Sequence, residues 1–249
     1  MPVRLTPTVE WIAHCFEHGD THEHVSVYLL REGDDVILVD SGSVYHREEI
    51  LTAVTDATDG SGPDALILSH SDYPHAGNIR QLGAGAGDVE LVASSGSPSQ
   101  QGLPQARRCT IGGQLTVKGR TFSFIDPPLA DRSHTTWIFD HRDGVLFTAD
   151  GFGNYHTPGA CSNLSGDFPD GTPLEHIVAY HRDNLVWLRY VDPSKVELAL
   201  EDIFDRFEIR AIAPIHGNPI EGKDIPLYRE RLSESIQQIA TAYEVPEVE

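Results

Sequence analysis

The sequence predicts a four-layer αββα fold, in which two α/β halves pack their sheets face to face and carry their helices outside. Three observations point there. Strand-type and helix-type apolar runs alternate twice along the chain, three hairpin signals punctuate the strands, and 39% apolar residues can supply a sizeable core. At 249 residues and roughly 150 per domain, the length fits one large domain or two small ones. No linker long enough to separate two domains is visible, so a single domain over residues 1–249 is expected.

Residues 25–30 and 36–40 are β-rich runs joined by Glu32-Gly33-Asp34. Residues 45–58 have helical apolar spacing at Ile50, Leu51 and Val54, and Gly60-Ser61-Gly62-Pro63 ends that helix before a short buried-type run, 65–68. Helix followed by strand implies a crossover. A second crossover is expected over 78–82, followed by a strand at 89–93, and the Ser/Gly/Gln/Pro-rich stretch 94–105 reads as a loop. Strands 115–117 and 121–125 then flank Lys118-Gly119, and 135–139 and 145–148 flank Arg142-Asp143-Gly144. Residues 172–190 and 193–207 are helical in period, 209–213 is a short strand, and 225–243 is a closing helix.

The formal net charge is −20, and lysine occurs only at Lys118, Lys195 and Lys223. A surface of that sign repels phosphate backbones and anionic lipid, so neither nucleic acid nor membrane is expected as a partner. It is also compatible with a high-salt source. No run approaches 18 consecutive apolar residues, and residues 1–11 lack a basic and apolar leader pattern, so a cytoplasmic location is the default expectation. Cys15, Cys109 and Cys161 are odd in number and far apart, which fits neither a disulfide framework nor a Cys-rich zinc site.

Metal-ligand residue types recur where apolar strands end. His70 follows 65–68, Asp150 follows Phe147-Thr148-Ala149, His216 follows Ile212-Ala213-Pro214-Ile215, Asp40 follows 36–39, and His134 adjoins 135–139. Polar groups at strand ends of helix-flanked sheets converge in space although distant in sequence. The densest cluster is His70-Ser71-Asp72-Tyr73-Pro74-His75-Ala76-Gly77-Asn78. One histidine is ordinarily a surface or hydrogen-bonded side chain, but two imidazoles and a carboxylate straight after a buried strand point to a metal site. The rival chemistries lack their motifs: there is no Gly-x-Ser-x-Gly elbow, phosphate loop or GxGxxG.

Over residues 25–220 the chain resembles the metallo-β-lactamase superfamily, whose His-x-His-x-Asp-His turn sits here as His70-x-Asp72-x-Pro74-His75. The acidic residue at 72, the Gly77-Asn78 pair, Leu146-Phe-Thr-Ala-Asp150-Gly-Phe-Gly153 and Ile212-Ala-Pro-Ile-His216-Gly217 resemble the di-iron branch: flavodiiron proteins and stand-alone oxygen-binding di-iron proteins. The resemblance implies the αββα metallo-β-lactamase sandwich. It also implies a metal pair with His70, Asp72 and His134 on one ion, His75 and His216 on the other, and Asp150 bridging. Asp150 and Asp72 are the carboxylates expected to act in the chemistry.

Mixed imidazole and carboxylate donors suit two iron ions; one iron, zinc or manganese are the alternatives. Asp72, where hydrolases of the superfamily commonly carry histidine, favours iron. Pro74 departs from the family pattern, because aspartate there would serve the second metal; a single-iron dioxygenase centre on His70, His134 and Asp150 therefore stays open. Only 33 residues follow His216, too few for a flavodoxin domain, and no Cys-x-x-Cys pair supports a rubredoxin domain.

The function so implied is binding or reduction of dioxygen or a related small oxidant, with electrons from an external donor. Two other readings remain: a non-enzymatic oxygen sensor, and a zinc metallohydrolase of esters, thioesters or lactones. A homodimer is expected on resemblance alone. Around the ligands, Asp40 resembles the family's strand-end aspartate that supports the site. His18 resembles a histidine brought near the di-iron centre, and Tyr180 a tyrosine on the helix after the bridging aspartate. The histidine-rich run 14–24 otherwise reads as a solvated loop, and Trp137, Phe152 and Tyr155 are candidates for the pocket wall.

Overall fold

A computed structural model describes residues 2–83, 89–94, 103 and 105–242. The first sheet comprises β1 (Val3–Arg4), β2 (Val9–Ile12), β5 (Val27–Glu32), β6 (Asp35–Val39), β7 (Ala65–Leu68), β8 (Glu90–Ser94) and β9 (Arg107–Cys109), in that spatial order. The second runs β10 (Gln114–Val117), β11 (Arg120–Ile125), β12 (Trp137–Asp140), β13 (Val145–Ala149), β15 (Ala211–Pro214), β16 (Ile220–Glu221). A small third sheet joins β14 (Tyr155–His156), β4 (Thr21–His24) and β3 (Cys15–His18).

The two large sheets face each other across a common core. Trp11, Tyr28, Ile37 and Ile67 of the first meet Phe122, Phe124, Ile138, Phe147 and Ala213 of the second, all essentially excluded from solvent. Outside the first sheet, α1 (Arg47–Ala57) buries Ile50 and Val54 against Val27, Leu38 and Leu66. Outside the second, α3 (Leu174–Asn184), α4 (Pro193–Arg206) and α5 (Ile225–Thr241) bury Ile177, Leu200, Ile203 and Ile236 against Trp137, Leu146 and Ile212. The expected αββα sandwich is what forms. All three predicted hairpins pair antiparallel: β5 with β6, β10 with β11, and β12 with β13.

Over 78–82, where the second crossover is expected, the chain forms turns, and among the described residues of that connection the helix is the single turn α2 (Tyr73–Ala76). Asn78 explains this: its side-chain amide donates to the carbonyls of Ser41, Gly42 and Ser43, holding the chain flat against the end of β6. The histidine-rich run 14–24 is also not a loop. It is the β3–β4 hairpin, whose alternation of period two is that of strands. The loop expected at 94–105 and the end of the helix expected at 243 fall largely outside the described residues.

Two parallel pairings, β6 with β7 and β13 with β15, bring four strand ends to one edge of the sandwich. Bonds between the sheets fasten that edge. Tyr28 Oη donates to Pro214 O at 2.7 Å, Ser26 N to Ile215 O at 3.0 Å and Thr136 N to Ser69 O at 2.9 Å.

His181 lies fully inside α3, with Nδ1 bonded to Ile177 O at 2.8 Å. Burial pushes its pKa down to about 4, only partly offset by that hydrogen bond. The unfolded chain therefore takes up a proton near pH 6.5 that the folded one refuses, so stability falls from about pH 6.5 to about pH 4 and then levels. Urea unfolding of wild type and His181→Leu at pH 7 and pH 4.5 is expected to show the wild type losing about 2–3 kcal/mol more than the variant. An identical loss in both contradicts this.

Candidate metal centre

The converging strand ends build the site. Asp40, just past β6, is buried in the left-handed region at φ 58° and is fully bonded. Its Oδ1 accepts from Ser69 N at 2.8 Å, and its Oδ2 accepts from Ser69 Oγ at 2.7 Å and from His75 Nδ1 at 2.9 Å. Holding Nδ1 this way turns His75 Nε2 toward His216 and Asp150. His216, just past β15, is held likewise, with Nδ1 2.8 Å from His24 O and 3.2 Å from Glu23 Oε1. Its Nε2 then lies 3.2 Å from His75 Nε2.

Asp150 is presented by a distorted strand end. The β13–β15 register shifts between Phe147 and Ala149, and Ala149 and Phe152 both take positive φ, 49° and 60°. Strain of this kind costs about 1–3 kcal/mol per residue and persists only where surrounding structure imposes it. Gly153 completes the turn, since a Cβ there would fall 2.1 Å from the Tyr180 ring. Asp150 Oδ1 stands 3.7 Å from His216 Nε2 and 3.9 Å from His75 Nε2, and Oδ2 stands 3.8 Å from His70 Nε2.

These separations exceed hydrogen bonds and lie within the span of about 4.2 Å that one ion with bonds of about 2.1 Å can bridge. His70 Nε2 and Asp150 Oδ2 are buried and lack any hydrogen-bond partner among the described residues. Two orphaned donor atoms facing each other across 3.8 Å fit a shared cation. The electrostatics agree. Burial pushes the Asp150 carboxyl up to about 8, reinforced by Asp131 and opposed by His216, and holds His70 and His75 well below the usual histidine range. A divalent cation draws a carboxylate back to its charged form and takes neutral imidazole as its ligand.

The expected ligands divide into a converged group and a rim. His70, His75, Asp150 and His216 meet. Asp72 is half-buried at the rim, where its Oδ2 accepts from Arg132 Nε at 2.8 Å. His134 is half-buried too, its Nε2 3.9 Å from Asp72 Oδ1 and 3.4 Å from Ser71 Oγ. The donor that closes on His70 and Asp72 is instead Asp131, with one ligand atom of each of the three within 4.8 Å of the others. Its Oδ1 lies 3.8 Å from His70 Nε2 and accepts from Thr135 Oγ1 at 3.0 Å. Asp131 was not anticipated. Its only signal is its place in the loop entering β12, three residues before the more conspicuous His134.

His18 is exposed, stacked on Tyr155 with ring centroids 4.3 Å apart. Tyr155 meets the edge of Tyr180, and Tyr180 stacks along His216 at 6.2 Å, so His18 lies at the outer end of an aromatic row rather than against the ligands. Tyr180 is fully buried, and its Oη has no hydrogen-bond partner among the described residues. Trp137 and Phe152 belong to the outer core under the helices rather than to a cavity wall.

Residues 20–200 match the metallo-beta-lactamase superfamily. The chain belongs to that superfamily. Relatives include diflavin flavoprotein A 3 from Nostoc sp. PCC 7120, 26% identical over 207 residues, covering 81% of this chain and 34% of the relative. Coenzyme F420H2 oxidase of Methanothermobacter marburgensis is 24% identical over 229 residues, covering 86% of this chain and 55% of the oxidase. This superfamily member thus spans between about a third and about half of those proteins. Its fold is shared with rubredoxin oxygen:oxidoreductase from Desulfovibrio gigas, at TM-score 0.74 and 17% identity, covering 98% of this chain and 61% of that one. The flavodiiron protein from Giardia intestinalis matches at TM-score 0.72 and 16% identity, covering 96% and 60%. The resemblance to the di-iron branch read from the motifs therefore holds.

Outer partners of metal-bound imidazoles are worth about 10–100-fold in affinity. Asp40→Asn keeps the shape and tolerates the left-handed backbone but removes the charge behind His75. Competition with a coloured chelator is expected to show metal affinity lowered within that range, and unchanged affinity contradicts the role given to Asp40.

Proposed function

We propose that this superfamily member is a di-iron oxidoreductase that binds or reduces dioxygen or a related small oxidant, with electrons from an external donor. The observation that carries this reading is the carboxylate-rich donor set around the orphaned pair His70 Nε2 and Asp150 Oδ2, because hard oxygen donors mixed with imidazole favour iron over zinc. In this reading His70, Asp72 and Asp131 hold one ion, His75 and His216 the other, and Asp150 lies between them. His134 moves from ligand to rim. Pro74, at the start of the one-turn helix α2, offers no donor, which leaves the second ion only three protein ligands.

Two iron ions there would supply redox electrons and open coordination positions. The chain's own groups do the rest. Asp40 fixes the His75 tautomer, and Glu23 with His24 O fixes His216, so neither ring reorients as charge develops. His134, half-buried at the rim with its Nε2 3.9 Å from Asp72 Oδ1, is placed to pass protons inward from solvent. Arg132, between Asp72 and Asp131, adds positive charge at the entrance of a strongly acidic molecule. Tyr180 Oη is a buried O–H without a partner among the described residues, placed beside His216. A cytoplasmic homodimer belongs to the same proposal, and no helix among the described residues is long and apolar enough to cross a membrane.

The test is anaerobic loading with ferrous iron, followed by metal analysis, air exposure and oxygen uptake with a supplied reductant. About two irons per chain, an oxygen-dependent absorption change and sustained uptake are expected, with iron content falling sharply in Asp150→Asn. A pocket that retains zinc, cleaves a generic ester or thioester and shows no oxygen-dependent change overturns the proposal. An absorption change without uptake makes the protein a sensor.

A further inference from the structure

The β3–β4 hairpin carries a second group of donors, apart from the candidate di-iron centre. In the register of the small sheet, Cys15 pairs with His24 and His156 of β14 pairs with His22, which puts Cys15, His22, His24 and His156 on one face. The turn after β14 brings Cys161 onto that face. His156 Nε2 lies 3.4 Å from Cys15 Sγ and 3.2 Å from Cys161 Sγ, and His22 Nδ1 lies 3.4 Å from Cys161 Sγ. One ligand atom of each of these four residues falls within 4.8 Å of the other three.

These are poor hydrogen bonds but good coordination edges. A tetrahedral ion with bonds of about 2.3 Å to sulfur and about 2.0 Å to nitrogen sets neighbouring sulfur and nitrogen atoms about 3.5 Å apart. His24 supports the cluster without joining it: its ring stacks on His156 with centroids 3.9 Å apart, and its Nε2 is 3.0 Å from Cys161 O. Three of the four donors are partly buried and His156 is fully buried, so the site is closed in the manner of a structural rather than a catalytic metal.

We infer that Cys15, His22, His156 and Cys161 form a structural zinc site of Cys2His2 type. Two thiolates and two imidazoles on a four-cornered site select zinc among abundant divalent ions, and binding releases the two thiol protons to solvent. The ion ties the hairpin to the 156–161 turn from opposite ends of the chain. It also seats the backbone on either side of Glu23, whose carboxylate reaches His216 Nδ1 at 3.2 Å. The long separations that exclude a Cys-rich motif in sequence do not exclude this site, because each half contributes one cysteine and one histidine.

The full chain, purified with reductant, is titrated with Co2+ and then Zn2+. One equivalent of Co2+ is expected to give thiolate charge-transfer and intense tetrahedral ligand-field bands, which Zn2+ abolishes. Cys15→Ser/Cys161→Ser is expected to lose one tightly held zinc per chain and those bands, with iron loading at His70 and Asp150 retained. Conversely, His70→Ala/Asp150→Asn is expected to lose the iron and keep the zinc, so this proposal and the di-iron reading fail separately. Should the cysteine variant not fold, the wild-type cobalt titration still decides. Absence of thiolate bands, zinc binding unaffected by loss of both cysteines, or a Cys15–Cys161 disulfide persisting in reductant with zinc supplied, each overturns the inference.

Discussion

Parallel pairing at two places in the sandwich governs the whole molecule. β6 lies parallel to β7 in one sheet and β13 parallel to β15 in the other, and each pair runs to the same edge. Asp40, His70, Asp150 and His216 are the residues that follow those four strands. Without the inter-sheet bonds of Tyr28, Ser26 and Thr136, the two pairs could slide past one another, and sub-ångström placement of donors would be lost. The fold's contribution to chemistry is thus positional: it delivers polar side chains from four distant segments into a space lined by a rigid core.

That delivery is electrostatically costly. Asp40 and Asp150 are buried in a chain of net charge −20, and burial raises both carboxyls, to about 6 and about 8. Asp40 offsets its cost by accepting from Ser69 and His75. Asp150 has one oxygen without such a partner among the described residues, and strained backbone at Ala149 and Phe152 holds it in that position. Two features that each oppose stability are retained at one spot, which is where function, rather than packing, has set the residue.

The strands, the hairpins and the buried polar residues at the strand ends were legible because their signals are local. An apolar run ending in His or Asp identifies a strand end, and four strand ends of one kind imply a common edge. Asp131 was not legible: a carboxylate in a loop looks like any solvated turn residue, and it is the tertiary contacts Thr136 to Ser69 and Arg132 to Asp72 that fold this loop over His70. His134, chosen for its residue type, is displaced to the rim for the same reason. The run 14–24 was misread because short strands with polar residues on both faces lack the apolar alternation that ordinarily marks a strand. Cys15 and Cys161 gave no pattern at all, since their pairing is created by β14 joining β4 across more than half of the chain.

The most direct measurement is X-ray diffraction from iron-loaded crystals, with data collected on both sides of the iron absorption edge. The expected result is two anomalous peaks that appear only above that edge, one among His70, Asp131 and Asp150 and the other among His75, His216 and Asp150. Absence of any iron-edge signal among those side chains, with their imidazoles bonded only to one another or to water, would contradict a metal-centred function for this edge of the sandwich.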